Sequence, residues 1–353
     1  MSSHSQAAST SPSMGMPGAT LRWGLLSTAR INRSLIPPLR ASPRNRLVGV
    51  ASRDPARAEA YAQEWQIERA FGSYEAMLAS PEIDVVYISL PNRLHAEWTI
   101  KALRAGKHVL CEKPLATRIE DIDAIIAAAR ETGRVVAEAF MYRHHPQTLQ
   151  VKSLIERGAI GEVRLVRGSF TFSLTNRSNI RVNADLDGGS LWDVGCYPIS
   201  YARAMIGAEP VEAFGMQFTG PSGVDETFIG TLRFGENIFA QFDCGFGAPF
   251  RMHMEIVGSE GLIVVPRPFK PTARETIYIG KAGDQLEPLT IEGPELLYLG
   301  EVEDLADAIL NGAAPRVSLE DSRANAAAIL ALLRSAREGK PMPIQSEREQ
   351  SQP

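Results

Sequence analysis

Two different hydrophobic periods divide the chain. From Leu21, short apolar runs (LRWGLL, RLVGVAS, DVVYISLP and KHVLCE) alternate with segments of helical period, two of which begin at Pro55 and Leu94. Strands that alternate with helices in this way are typical of βαβ units, which form a parallel, doubly wound sheet. We therefore expect residues 21–140 to form an α/β domain of the Rossmann type.

The second part of the chain has the two-residue period of half-buried strands. After a helix expected at 147–157 come EVRLVRGSFTF, VEAFGMQFTG, TFIGTLRFGENIFAQFDCGF, RMHMEIVGSEGLIVV and TIYIG, in which FGEN and GSEG are hairpin turns. Two helices follow, in GEVEDLADAIL and EDSRANAAAILALLRSAREG. Residues 141–344 are expected to form an α+β domain with a large, mostly antiparallel open sheet, covered by helices on one face and by a partner subunit on the other.

The two ends of the chain lack this patterning. Residues 1–20 are rich in serine, alanine, methionine, glycine and proline and contain no export signal, so we interpret them as a disordered tail. Residues 345–353 are interpreted in the same way. No apolar run reaches the roughly 18 residues of a membrane span, and no membrane partner is expected.

Composition and charge narrow the classes of function. The chain has 353 residues, a formal net charge of -4 and no cluster of lysine and arginine, so a nucleic-acid partner is not expected. Its cysteines, Cys111, Cys196 and Cys244, stand far apart and predict neither a disulfide framework nor a thiolate metal site. A reducing, cytoplasmic location is therefore expected.

The segment WGLLSTARIN follows the first predicted strand, where a dinucleotide-binding fold has its glycine-rich turn. Aligned with G-x-G-x-x-G, the glycine positions carry Ser27, Ala29 and Asn32. Ala29 is small enough for close approach of a pyrophosphate, and the N-terminus of the following helix offers N–H groups. An ordinary βα turn explains the segment equally well.

The end of the second predicted strand bears on which dinucleotide is bound. An NAD site has an acidic residue here for the ribose 2′-hydroxyl, whereas this chain has Ser52 and Arg53. Asp54 precedes Pro55 and is better explained as a helix N-cap. Because a guanidinium can pair with a 2′-phosphate, we favour NADP over NAD; the alternative is that Arg53 is a solvated surface charge.

The stretch LPNRLHAEWTIKALRAGKHVLCEKPLA resembles the Gfo/Idh/MocA family of nicotinamide-dependent oxidoreductases, in which two neighbouring strands end in Pro-Asn-x-x-His and Glu-Lys-Pro. The segment GGSLWDVGCYPIS strengthens the resemblance, which covers residues 21 to about 344. Tyr197 and the segment AEAFMYRHHPQ are similar to the branch that contains dihydrodiol dehydrogenases, xylose dehydrogenases and sugar ketoreductases.

The resemblance implies a cofactor site for NADP and a cis peptide before Pro114. The residues expected to bind the cofactor are Ser27, Thr28, Ala29, Arg30, Ile31, Ser52, Arg53, Leu90, Asn92, His95, Glu112 and Lys113, with the last two at the nicotinamide end. The glycine-poor first turn departs from the family pattern. This departure bears on the geometry of pyrophosphate binding more than on the use of the cofactor.

Hydride transfer at a carbinol carbon also moves a proton, and the resemblance points to Tyr197 as the general acid or base. A free phenol has a pKa of about 10, and an ammonium ~4 Å away could lower it by up to about three units. Lys113 is therefore expected to hold the substrate oxygen and to favour the tyrosinate. Asp193, one helical turn before Tyr197, is expected to hold substrate hydroxyls or to orient the pair, with the preceding glycines letting the backbone run close to the nicotinamide.

Each of these three residues has a structural alternative. Tyr197 could be a packed boundary residue, Asp193 could cap a helix, and Lys113 could be an ordinary exposed lysine. For the substrate entrance, the resemblance suggests Tyr142, Arg143 and one of the adjacent histidines, of which we favour His145; a polar interdomain linker is the alternative.

The loop TNRSNIRVN contributes one further candidate, Arg181, which could meet a hydroxylated ligand or lie in solvent. Adjacent histidines without acidic or thiolate partners do not indicate a metal, and none is expected.

We therefore predict an NADP-dependent oxidoreductase that transfers a hydride between nicotinamide and a carbinol or carbonyl carbon of a sugar, a sugar derivative or a cyclic diol. Two alternatives remain: a glycoside hydrolase that uses a retained dinucleotide, and a non-catalytic dinucleotide-binding sensor. A homodimer or homotetramer is expected through the C-terminal sheet, because that sheet would otherwise leave an apolar face in water.

Overall fold

The computed structural model describes residues 20–344, so the predicted tails at 1–20 and 345–353 lie outside it except for Thr20. Its first sheet contains, among the described residues, six parallel strands in the order β3-β2-β1-β4-β5-β6. They are β1 (Leu21–Leu26), β2 (Asn45–Ala51), β3 (Arg69–Phe71), β4 (Val85–Ile88), β5 (His108–Glu112) and β6 (Val136–Ala139). The parallel, doubly wound sheet expected from the sequence is confirmed.

Helices connect these strands and cover both faces of the sheet. They are α1 (Asn32–Ala41), α2 (Pro55–Glu64), α3 (Tyr74–Ala79), α4 (His95–Arg104) and α5 (Ile119–Thr132). The carboxylate of Asp54 accepts hydrogen bonds from the backbone N–H groups of Ala56 and Arg57 at 3.0 and 3.4 Å. Asp54 is therefore the N-cap of α2, as predicted, and its carboxylate is used by the helix.

After α6 (Pro146–Glu156), the chain forms a sheet of nine strands within the described residues, in the order β14-β13-β12-β11-β7-β10-β9-β8-β15. They are β7 (Val163–Ser173), β8 (Glu212–Thr219), β9 (Asp225–Phe234), β10 (Ile238–Gly245), β11 (Gly247–Gly258), β12 (Gly261–Val265), β13 (Arg274–Lys281), β14 (Glu287–Glu292) and β15 (Met342–Pro343). Neighbouring strands are antiparallel except β7 and β10, which are parallel. This confirms the predicted mostly antiparallel sheet.

Three further helices complete the fold: α7 (Cys196–Ile206), α8 (Leu299–Asn311) and α9 (Leu319–Glu338). Helix α9 packs on the inner face of the second sheet, where Gly215 leaves room for the carbonyl of Leu332. The sequence places helix α8 in the second domain, but its Val302 and Leu305 pack into the core of the first sheet. Of the helices described, none has the length and apolar character needed to cross a bilayer.

Candidate active site

A cleft of about 610 Å³ lies where the carboxyl ends of β1, β4 and β5 meet the second domain. Strands β1 and β4 are neighbours at the point where the strand order reverses, which is where open α/β sheets bind ligands. The sequence-predicted site residues that line the cleft are Ala29, Arg30, Ile31, Leu90, Asn92, His95, Glu112, Lys113, Arg181, Asp193 and Tyr197. The structure thus brings together residues from both domains.

Side-chain hydrogen bonds, rather than glycines, close the turn after β1. Ser27 has a φ of 141°, a backbone angle that favours glycine. Its hydroxyl lies 2.9 Å from that of Ser89 and accepts from the backbone N–H of Ala29 at 3.1 Å. The amide of Asn32 donates to the carbonyl of Ser27 at 2.8 Å and accepts from Ser89 at 2.8 Å. Polar groups at two of the aligned glycine positions therefore hold the turn in place.

Ser27, Thr28, Ser52 and Arg53 lie at the same edge of the sheet but outside the lining of the cleft. Leu26 pairs with Ala51, so the turn after β1 and the end of β2 are adjacent. The hydroxyl of Ser52 is buried and accepts from the backbone of Asp54 at 3.2 Å. Arg53 is exposed, and no carboxylate of the residues from 20 to 344 forms a salt bridge with it. Its guanidinium interacts with the hydroxyl of Tyr74, a neutral partner that leaves its charge unpaired.

His95 joins the two loops that flank the cofactor side of the cleft. Its ring nitrogens lie 2.7 Å from the carbonyls of Pro114 and Leu90, and the side chain is buried. Burial lowers the pKa of His95, and a neutral ring donates to only one of these carbonyls. His95 therefore positions the two loops and also lines the cleft. Its direct contact with the cofactor stays a prediction. The Lys113–Pro114 peptide in the loop after β5 is cis, as the resemblance implies.

Lys113, Asp193 and Arg181 form an ionic triad across the domain boundary. The ammonium of Lys113 donates to the Asp193 carboxylate at 3.1 Å and to its backbone carbonyl at 2.6 Å, while Arg181 donates to the other carboxylate oxygen at 2.7 Å. Burial raises the pKa of Asp193, but Lys113 and Arg181 together lower it by more than burial raises it. The pKa of Asp193 therefore lies below its usual range. Burial lowers the pKa of Lys113, but Asp193 raises it above the usual range. Both groups are therefore charged.

Tyr197 is buried next to this triad. The Lys113 ammonium lies 5.1 Å from the centroid of its ring, and its hydroxyl lies 4.0 Å from the sulfur of Met141. Burial raises the pKa of Tyr197 well above the usual range, and Cys196 and Glu112 raise it further. In this arrangement the ammonium lies over the ring and Asp193 balances its charge, which favours the protonated phenol. That Lys113 favours the tyrosinate stays a prediction.

The segment that carries Asp193 and Tyr197 is not one continuous α-helix. Residues Leu191–Gly195 form a π-helical turn, and α7 begins at Cys196. The preceding glycines fit the packing of this segment: Gly189 has a φ of 125°, and a side chain at Gly188 would meet the carbonyl of Arg181 at 2.5 Å. Their absent side chains make room for the backbone of Arg181 and for the carboxylate of Asp225. That they also let the backbone approach a nicotinamide stays a prediction.

Two of the predicted substrate residues, Tyr142 and Arg143, lie outside the cleft. Tyr142 is fully buried, and its hydroxyl donates to the backbone carbonyl of Tyr197 at 3.4 Å. The guanidinium of Arg143 donates to the Ser200 hydroxyl at 3.0 Å and to the Asp321 carboxylate at 3.2 Å. Both side chains support α7 from behind, so they do not reach a ligand in the cleft.

The third predicted substrate residue, His145, is also outside the cleft. It is 2% exposed, and its ring accepts a hydrogen bond from the backbone N–H of Gln147 at 3.1 Å, which caps α6. Burial lowers the pKa of its neighbour His144 to about 3. Among the described residues, no three histidine, cysteine or acidic side chains converge as a metal would require.

The side chains of the cleft that sequence reasoning missed include Phe170, Phe172, Phe250, Lys270 and Tyr298. They come from β7, from β11, from the loop after β12 and from the turn before α8. Each stands alone in its segment without a motif around it. Only the tertiary fold brings them together, so no sequence signal marks them as a group.

Models of known families match both domains of the chain. The model described as "Oxidoreductase family, NAD-binding Rossmann fold" matches residues 21–140, and the "GFO/IDH/MocA C-terminal domain" matches residues 148–264.

The chain belongs to the Gfo/Idh/MocA family of oxidoreductases.

Named relatives come from the branch that the sequence resembles. The chain is 36% identical to a D-xylose 1-dehydrogenase (NADP(+)) of Haloferax volcanii, over 90% of this chain and 98% of that protein. It is 35% identical to a dTDP-3,4-didehydro-2,6-dideoxy-alpha-D-glucose 3-reductase of Actinomadura kijaniata, over 90% and 96%. A trans-1,2-dihydrobenzene-1,2-diol dehydrogenase of Danio rerio is 36% identical, over 70% and 74%.

Solved structures support the same assignment. The 3-ketoreductase KijD10 from Actinomadura kijaniata, in complex with NADP and TDP-benzene, superposes with a TM-score of 0.84 at 33% identity, over 90% of this chain and 98% of that one. An aldose-aldose oxidoreductase from Caulobacter crescentus, complexed with glycerol, superposes with a TM-score of 0.84 at 27% identity, over 92% and 99%. The protein is therefore a dehydrogenase or reductase of this family, as the sequence predicts.

Proposed function

We propose that the protein transfers a hydride between NADP and a carbinol or carbonyl carbon of a sugar, a sugar derivative or a cyclic diol. One observation carries the proposal: Lys113 at the end of β5 and Tyr197 from the second domain lie within one cleft, with Asp193 bonded to the lysine. The relatives named for sugars and diols support the substrate class.

The residues at the carboxyl edge of the first sheet fit a phosphorylated dinucleotide. Helix α1 has no side-chain cap, but the backbone N–H groups of residues 32–34 already donate to carbonyls of the preceding turn, at 2.9–3.3 Å. A pyrophosphate would therefore be received by the N–H groups of that turn, at Arg30 and Ile31. Arg30 and Arg53 are exposed beside it and can pair with phosphates. When bound, the nicotinamide accepts or supplies the hydride.

The chain's own residues position the substrate and move the proton. An ammonium has three N–H donors, and Asp193 takes two of those of Lys113, which leaves one for the substrate oxygen. Because its pKa is raised, Tyr197 is protonated near neutral pH and suited to donate a proton to that oxygen during reduction. Arg181 holds Asp193 from the other side and keeps the triad aligned.

Replacing the two residues tests the reaction. We expect Tyr197→Phe and Lys113→Met each to lose ~100-fold or more in kcat, because the first removes the general acid and the second removes the donor that holds the substrate oxygen. The assay follows NADPH absorbance with a panel of aldoses, ketosugars and vicinal diols. Tyr201→Phe is the matched control: this tyrosine is buried on the same helix, one turn later, outside the cleft. Normal turnover in both variants, or sugar release without a net absorbance change, would contradict the proposal.

The preference for NADP depends on Arg53. A hydrogen bond to a charged group contributes about 1.5–3 kcal/mol, so we expect Arg53→Ala to raise the KM for NADP by about 10- to 100-fold and to change the KM for NAD little. Arg104→Ala, an exposed arginine at the far end of α4, is the control. Equal effects on both cofactors would show that Arg53 does not read the 2′-phosphate.

The second sheet supports the proposal of a homodimer or homotetramer. Its face away from α9 exposes apolar side chains on β8, β9, β10 and β13, at 38–63% of their areas: Phe214, Met216, Phe218, Ile229, Phe239 and Tyr278. Apolar patches of this kind on soluble proteins mark interaction surfaces. We name it the outer apolar face and propose that a second copy of the chain covers it.

A further inference from the structure

The loop between β12 and β13 brings one unassigned lysine into the cleft. Phe269 of this loop is fully buried, and its ring centroid lies 5.2 Å from that of Phe170 and 5.5 Å from that of Tyr197. Pro268 on one side and Pro271 on the other are also buried. The loop is therefore anchored beneath the general acid, while the side chain of Lys270 is exposed to the cleft.

Lys270 has no partner of opposite charge in the described part of the chain. Both carboxylate oxygens of Asp193 are taken by Lys113 and Arg181, and a carboxylate oxygen of Glu112 accepts from the hydroxyl of Tyr87. The ammonium of Lys270 lies over the face of Phe170, 5.8 Å from the ring centroid. Burial lowers the pKa of Lys270, and Lys113 lowers it further. An anion in the cleft would relieve this repulsion.

The substrate half of the cleft therefore carries a net positive charge. Three cations, Lys113, Arg181 and Lys270, face two carboxylates, Asp193 and Glu112, even when both carboxylates are counted as ionised. The mouth is apolar, because Phe250 and Ile180 are 57% and 47% exposed there. A neutral sugar offers only hydroxyl groups to this wall, whereas a carboxylate or phosphate would form a charge-assisted hydrogen bond.

We propose that Lys270 is a specificity-determining residue that binds an anionic group of the substrate, so that the enzyme prefers sugar derivatives that carry a carboxylate or a phosphate over neutral sugars. This inference rests on the proposed oxidoreductase function. The apolar mouth formed by Phe250 and Ile180 then borders the part of the substrate beyond the anionic group.

Matched substrates test the proposal. Glucose, glucuronate and glucose 6-phosphate share the same type of sugar ring. Comparison of glucuronate with glucose 6-phosphate shows whether the carboxylate or the phosphate is preferred. We expect the wild type to favour one anionic member over glucose in kcat/KM. In Lys270→Met the ratio of anionic to neutral kcat/KM should fall by about 10- to 100-fold, mainly through KM, and Lys270→Arg should restore part of it. Lys281→Met, an exposed lysine at the end of β13, should leave the ratio unchanged.

Two outcomes overturn the inference: a wild type that prefers glucose over both anions, or equal losses for neutral and anionic substrates in Lys270→Met. If no sugar is turned over, the proposed function fails separately. Calorimetric binding of glucuronate and glucose 6-phosphate to the NADP-loaded wild type and Lys270→Met then decides the role of Lys270. Weaker binding of an anionic sugar by Lys270→Met than by the wild type supports this role, and equal affinities reject it.

Discussion

Glu138 is buried beneath the turn that carries Lys113. It lies in β6 with 3% of its area exposed, and its carboxylate accepts from the backbone N–H of Leu115 at 2.9 Å. Burial raises its pKa to about 7, from a usual value of 4.5; Asp321 of α9 raises it as well, and Arg203 of α7 opposes the shift. This carboxyl group therefore changes its charge near neutral pH, and it is bonded to Leu115, two residues after Lys113.

The raised pKa makes the stability of the protein depend on pH. Between about pH 4.5 and 7 the native state binds this proton more tightly than the unfolded state, so Glu138 destabilises the fold progressively as pH rises through that range. Glu138→Gln removes the titration and keeps an oxygen for Leu115. We expect the free energy of unfolding of the variant, relative to wild type, to be about 2 to 3 kcal/mol higher at pH 8 than at pH 5.

Urea unfolding at the two pH values measures this difference. Glu131→Gln serves as the control, because Glu131 is an exposed residue near the end of α5. It should shift the free energy of unfolding equally at pH 5 and pH 8. If the difference in free energy of unfolding between Glu138→Gln and wild type were the same at pH 5 and pH 8, Glu138 would not titrate in this range.

Single residues also show what sequence can predict about the site. Lys113 and Tyr197 stand in motifs with family-specific neighbours, and both line the cleft. Tyr142 and His145 have equally suitable chemistry, but their side chains point into the protein because of how their segment packs. Lys270 has no motif around it and enters the cleft only through the anchoring of its neighbour. Residue type identifies candidates, whereas tertiary packing decides their direction.

At the level of elements, the turn after β1 combines backbone strain with hydrogen bonds. A residue with a side chain in such a sparsely populated region costs about 1–3 kcal/mol relative to an unstrained one, and the hydroxyl of Ser27 offsets part of this through Ser89 and Ala29. Both Ser27→Ala and Ser27→Gly lose these bonds, but only glycine relieves the strain. We expect Ser27→Gly to be more stable than Ser27→Ala by at least ~1 kcal/mol.

The free energies of unfolding of the two variants in urea test this order. The same pair of substitutions at Ser34, an exposed residue within α1, should give the opposite order, because alanine is favoured over glycine in helices by about 1 kcal/mol. If alanine were also the better residue at position 27, the turn would not be strained.

The elements with long periodic patterns were predictable, and the short ones were not. The strand LRWGLL and the hairpins at FGEN and GSEG are confirmed, because period-two or fully apolar runs between turn residues leave few alternatives. Strand β3 has only three residues and helix α3 only six, too few for a period to be recognised. The π-helical turn at Leu191–Gly195 was not predicted either, because its sequence pattern does not differ from that of an α-helix.

The molecule as a whole is held together by its last two helices. Helix α8 packs on the first sheet, where its Glu303 pairs with Arg44 at 2.8 Å. Helix α9 covers the second sheet and also reaches α5, through Arg323 and Asp123 at 2.7 Å. The chain thus returns to the first domain after β14 and then comes back to add β15 to the second sheet. Local sequence patterns do not encode such long-range returns, so the sequence placed α8 in the second domain, whereas its apolar side packs on the first sheet.

The outer apolar face makes a prediction about assembly. Met216 and Ile229 are paired across β8 and β9 and are 63% and 57% exposed. If a second copy covers them, Met216→Glu buries an uncompensated carboxylate in each subunit, at about 3–5 kcal/mol for each. We expect the wild type to elute as a dimer or tetramer in size-exclusion chromatography with light scattering, and Met216→Glu to raise the dissociation constant at least ~100-fold.

A charge added elsewhere on the surface distinguishes loss of assembly from general destabilisation. Leu149 on α6 is 38% exposed and lies outside the outer apolar face, so Leu149→Glu should leave the mass unchanged. A wild type that is monomeric at ~100 μM, or a Met216→Glu variant that assembles normally, would assign this face to another partner or to solvent. Because residues of both domains of one chain line the cleft, we expect the dissociated variant to keep its affinity for the dinucleotide. A dissociated variant that lost this affinity would show that the partner subunit contributes to the cleft.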